Sequence, residues 1–172
     1  VTISDVGTEI DLAAGVDITA SGGNVDLNNT VAQIDLSGTT DTNTISASGS
    51  VELANVVDTG TTTATSPVEL VVTAGTGVTL GTVTLSNTLD VDFDTATGTS
   101  TLNAGSLSAG TIEVDGVGTN DVMNFGSTVV STVAGVTIGN AGTVDLDGDV
   151  TGATTVTISD VGTEIDLAAG VD

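Results

Sequence analysis

The chain has 172 residues and contains no Lys, Arg, His, Cys, Trp or Tyr, against 18 Asp and 5 Glu, for a formal net charge of −23. Those absences exclude imidazole acid–base and metal chemistry, thiolate and Schiff-base nucleophiles, disulfide staples, and the phosphate neutralisation on which nucleic-acid binding rests. Val, Ile and Thr nevertheless supply 69 residues, and 38% of the chain is hydrophobic, a mix that suits strands and is too rich in β-branched side chains for acidic disorder.

The first segment, 1–17, reads VTISDVGTEIDLAAGVD, and residues 156–172 repeat it without a single change, at an offset of 155. Chance does not supply a match of that length. It predicts a 155-residue unit (1–155) in tandem, with 156–172 as the start of the next unit in one continuous array. A duplicated strand with which one subunit completes its neighbour is the other arrangement that fits.

A shorter pattern, apolar–acidic–apolar, runs along the unit. It occurs at Ile10-Asp11-Leu12, Val16-Asp17-Ile18, Val25-Asp26-Leu27, Ile34-Asp35-Leu36, Val51-Glu52-Leu53 and Val68-Glu69-Leu70. Farther on it returns at Leu89-Asp90-Val91, Ile112-Glu113-Val114 and Val144-Asp145-Leu146. A period of two sends the flanking aliphatics to one face of a strand and the acid to the other. Gly, Asn, Ser and Asp punctuate between these strands as turn residues. Three polar tracts, Ser37 to Ser50, Asp58 to Ser66 and Asp94 to Thr101, read as loops or wide corners.

Two strings carry candidate chemistry. Asp90-Val91-Asp92-Phe93-Asp94 and Asp145-Leu146-Asp147-Gly148-Asp149 place three carboxylates at alternate positions. Carboxylates sharing one strand face are oxygen donors of the kind Ca²⁺ takes, six to eight at a time. Asp90, Asp92, Asp94, Asp145, Asp147 and Asp149 are therefore the candidate metal ligands, with Ca²⁺ the only cofactor they suggest. Asp58-Thr59-Gly60 matches the loop of aspartic proteases, but that chemistry needs a second such aspartate, and no second Asp-Thr/Ser-Gly occurs. No catalytic or cofactor-binding residue is assigned, and no enzyme is expected.

Many short strands with regular turns fit a β-sandwich or a parallel β-solenoid. A sandwich fills a core ~10 Å thick with large side chains, and this chain offers only two aromatics, Phe93 and Phe125. A solenoid needs a thin core of small aliphatics stacked from coil to coil. The expected fold is therefore an all-β parallel solenoid of roughly six to nine coils, with the sandwich as the alternative. Coils of about 19 residues would divide the period into about eight.

The VDL and VTI strands, the Thr/Gly/Asn/Asp turns and the lack of basic residues resemble the large repetitive surface proteins and adhesins of bacteria, of the filamentous-haemagglutinin kind. That resemblance covers the whole chain and implies a solenoid at the cell surface or outside the cell. The function it implies is a structural segment of a long fibre, acting through shape, durability and an acidic surface. A Ca²⁺-dependent adhesin with a surface or glycan ligand is the alternative, and a donor-strand-assembled filament subunit the third. The expected partner is the chain itself, end to end or side by side. No apolar run approaches the ~18 residues of a spanning helix, so no membrane insertion is expected within this segment.

Overall fold

The structure is a computed structural model describing residues 1–3, 9–13, 15–28, 33–36, 42–58, 70–94 and 98–172. Each coil of the chain contributes one short strand to each of three parallel sheets. Face I stacks β1 (Glu9–Leu12), β4 (Gln33–Leu36), β7 (Val56–Val57), β10 (Val83–Thr84), β13 (Leu107–Ala109), β16 (Val129–Ser131) and β19 (Val150–Thr151). Face II stacks β2 (Asp17–Ala20), β5 (Asn43–Ala47), β8 (Leu70–Ala74), β11 (Thr88–Phe93), β14 (Thr111–Asp115), β17 (Gly135–Gly139) and β20 (Thr155–Ser159). Face III stacks β3 (Val25–Leu27), β6 (Ser50–Leu53), β9 (Gly77–Leu80), β12 (Thr101–Ala104), β15 (Val122–Phe125), β18 (Thr143–Leu146) and β21 (Glu164–Leu167). The molecule is a parallel β-solenoid of about six turns, and no helix occurs among the described residues. None of them therefore forms a helix long and apolar enough to cross a membrane.

Alternation within each strand builds the core. The pattern buried–half-buried–buried recurs in β3, β5, β8, β11 and β13, so every second side chain enters the lumen. Parallel in-register pairing then stacks like on like. Val25, Val51, Val78, Leu102, Met123, Val144 and Ile165 form one column, and Ile45, Val72, Val91, Val114 and Ile138 form another. The two phenylalanines enter where the neighbouring coil offers an alanine: Phe93 lies beside Ala74 and Phe125 beside Ala104. A large side chain against a small one keeps the lumen filled without overpacking.

Corners repeat their own solutions. Asn24 Oδ1 accepts the Ser50 N–H and Asn55 Oδ1 the Thr82 N–H, each at 3.0 Å, tying one coil to the next where the ladder is interrupted. Between faces II and III the coils approach so closely that a Cβ at Gly49 would run into the Asn24 side chain, and one at Gly75 into the Ser48 carbonyl.

Two expectations change. Coils are 19 to 27 residues long rather than about 19, as the register steps from Val72 to Val91 and from Ile45 to Val72 show. The 9- and 17-residue steps between Val25, Ile34 and Val51 are parts of one 26-residue turn, since Val25 and Val51 are stacked on face III while Ile34 lies on face I. The tract Ser37 to Ser50 is not all loop. Asn43–Ala47 is strand β5, with Asn43, Ile45 and Ala47 inward, and Ser50 opens β6. Only one of its inward residues is a large aliphatic, so its alternation is faint in the sequence. Pairing with β2 and β8 supplies what propensity does not. Residues 37–41, 59–66 and 95–97 of the three tracts lie outside the described residues.

Phe125, 1% exposed, is the largest fully buried side chain. Phe125→Ala should lower the unfolding free energy by about 3–5 kcal/mol, the usual range for deleting a core phenylalanine. Chemical or thermal unfolding followed by circular dichroism measures it, and a loss under about 1 kcal/mol would mean that the lumen is loosely packed.

Candidate functional site

The outward positions carry the acids, and in-register stacking lines them up. Asp11 pairs with Asp35 on face I, and Asp90 with Glu113 and Asp92 with Asp115 on face II. On face III Asp26 pairs with Glu52, and Asp145 with Asp166. Each pair brings two carboxylates to neighbouring strands about 4.8 Å apart, an arrangement that like charges disfavour. With no Lys, Arg or His in the chain, the only cation the protein itself can offer is an α-amino group. Solvent ions must supply the rest of the compensation. In the middle of face III the ladder turns neutral: Asn124 Nδ2 donates to Asn103 Oδ1 at 2.9 Å.

The six predicted ligands separate into two places. Asp90 and Asp92 project outward from β11, where Glu113 and Asp115 join them from β14, and Asp94 is exposed just past the strand end. Asp145 projects outward from β18, while Asp147 and Asp149 lie exposed in the corner before β19. Asp149 Oδ1 accepts the Asp172 N–H at 3.1 Å. Among the described residues no three Asp, Glu, His or Cys side chains converge as a metal site. Strand alternation thus holds for Asp90 and Asp92, but in the second string the strand ends after Leu146. Asp58 follows β7, and Thr59 and Gly60 lie outside the described residues.

Burial in the face II ladder, reinforced by the Asp115 charge beside it, raises the Asp92 carboxyl above its ordinary value of 3.8. The folded state therefore holds this proton more tightly than the unfolded one. Its contribution to stability is fully present below the ordinary carboxylate value and is lost as pH rises through the raised one. Asp92→Asn should accordingly raise the melting temperature at neutral pH, and the advantage over the parent chain should shrink towards about pH 3. A D92N variant less stable than the parent at neutral pH would contradict this account.

One acid has a different role, which the alternation pattern did not single out. Asp121 is 2% exposed. One oxygen accepts the Ser100 N–H at 2.8 Å, and the other accepts the N–H groups of Val117 at 2.8 Å and Gly118 at 3.1 Å. It closes the Gly116–Asp121 corner and ties that corner to the coil before it. Its only sequence signal is an aspartate three and four residues after a Gly-Val-Gly run, within reach of their amides. Asp121→Ala would leave three N–H donors without their acceptor and should lower the unfolding free energy by about 2–3 kcal/mol. Denaturant titration measures this; a neutral effect would show that solvent serves the corner equally well.

One open groove at a corner, about 420 Å³, is lined by Val117, Gly118, Thr119, Asn140, Asp160, Val161 and Gly162. Asn140 and Asp160 there share a left-handed backbone with φ of 54°, which Asn and Asp tolerate best among residues with a side chain beyond Cβ. Among the described residues that line this groove, Asp160 is the one titratable group. The chain matches no family model, no curated protein and no solved structure.

Proposed function

We propose that this chain is a structural segment of a long extracellular fibre or cell-surface repeat protein, working through length, durability and a polyanionic surface. The observation that carries the reading is the exact return of 1–17 at 156–172 within a parallel β-solenoid whose coils stack in register. Both copies stack on a neighbouring coil, Ile10 on Ile34 and Ile165 on Val144, so the repeated sequence continues the same stack. Each added coil contributes one more neighbour interface to such a stack.

The acidic surface supports the same reading. Nineteen of the acids fall within 1–155. At about 4.8 Å per coil and between six and seven coils, that period rises about 32 Å. The spacing is about one charge per 1.7 Å, equal to that of duplex DNA. A rod with this density condenses counterions and repels its copies at low salt. Dense stacking of uncompensated carboxylates favours diffuse cation association over a single tight site.

Millimolar Ca²⁺ or Mg²⁺ should bundle the chain and raise its light scattering, whereas Na⁺ at matched ionic strength should not. Scattering unchanged throughout a divalent titration would count against the polyanionic role.

A further inference from the structure

The two copies of the 17-residue segment do not occupy equivalent places in the solenoid. Thr2 pairs with Asp26 on face III, but its counterpart Thr157 pairs with Thr137 on face II. Glu9–Leu12 pairs with Gln33–Leu36 on face I, but Glu164–Leu167 pairs with Thr143–Leu146 on face III. Asp17 opens β2 on face II, but the Asp172 carbonyl accepts the N–H of Val150, the first residue of β19 on face I, at 3.3 Å. All three comparisons shift by one face in the same direction. The sequence thus returns to its starting point after 20 strand positions, one short of seven full turns.

Strand alternation explains why this is allowed. It specifies which side chains point inward but not which of three similar sheets receives them. In the first copy Ile10 stacks on Ile34 and Leu12 on Leu36; in the second Ile165 stacks on Val144 and Leu167 on Leu146. Both sites offer an apolar pair in the same register.

We propose that one 155-residue period is six and two-thirds turns, so that each unit begins rotated by one third of a turn from the one before it. The inference rests on the tandem reading given above. Its consequence is a screw: a rise of about 32 Å with a one-third rotation, restoring the starting orientation after three units, or about 96 Å. A surface feature confined to one face of a unit, such as the Asp90, Asp92, Glu113 and Asp115 block, is then presented in turn on all three sides of the filament. The partner this geometry fits is a second copy of the same filament, met equally well from three directions, whereas an integral period would give one-sided pairing. The contact between units is heterologous and does not close, which is the condition for a filament.

The chain has no native cysteine, so introduced thiols are its only labelling sites. Pyrene maleimide on D145C/D166C places two dyes on adjacent, in-register outward positions of face III. On T151C/D166C the dyes lie on different faces unless the second copy follows the first onto face I. D26C/E52C, in register at two outward, half-buried positions of face III, serves as the reference pair. In the presence of excess unlabelled chain, D145C/D166C should match the reference and exceed T151C/D166C roughly fivefold in excimer-to-monomer ratio, as dyes about 4.8 Å apart require. The opposite order, or neither pair exceeding singly labelled D166C, would overturn the one-third shift. The tandem reading fails separately, if the complete coding sequence holds a single period, and the excimer result would stand in either case.

Discussion

In-register parallel pairing, in which each residue meets its equivalent in the next coil, is the constraint on which the rest of this molecule depends. It stacks Val25 on Val51 on Val78 and so builds a lumen from small aliphatics that could not fill a thicker core. The same rule leaves no freedom to stagger the outward side chains. Asp92 must lie beside Asp115, and Asp145 beside Asp166. The dry columns and the charged ladders are two faces of one geometry. Burying the aliphatics outweighs the repulsion because most of the paired carboxylates stay near solvent, where screening is strong; Asp35 and Asp92 are the ones drawn further in.

A stack of this kind has ends but no closed surface. A strand stacked on the coil below offers the same edge to the coil above, so the geometry sets no limit on the number of coils. The segment 1–17 and its copy 156–172 both take a place in this stack, through Glu9–Leu12 on Gln33–Leu36 and Glu164–Leu167 on Thr143–Leu146. The Asp121 carboxylate, buried at its corner, holds backbone amides of two coils.

Much of the fold was legible in the residues. Triplets such as Val25-Asp26-Leu27 and Ile112-Glu113-Val114 are strands with the acid outward, and the scarcity of aromatics pointed to a thin core. Asp35 departs from the pattern, being 7% exposed although it lies between two inward residues. Strand β5 was concealed because Asn43 and Ala47 are weak apolar markers; its place is set by Ile18 and Val72 on the neighbouring coils. The candidate ligands were legible as acids, but the shared strand face holds only for Asp90 and Asp92, because the other strand ends at Leu146 and leaves Asp147 and Asp149 in a corner. Asp121 was hidden for another reason: its partners Ser100 and Val117 come together only once the coil closes.

By itself, the sequence determined the inside and outside of each strand, the absence of basic and thiol chemistry, and the 155-residue return of its opening segment. These are local properties of side-chain period and composition. The tertiary structure decided how many residues make a turn, which strands share a face, and that the returning segment arrives one face early. Alternation is blind to these choices, because three similar sheets accept the same pattern, and only the summed lengths of strands and corners determine which sheet comes next.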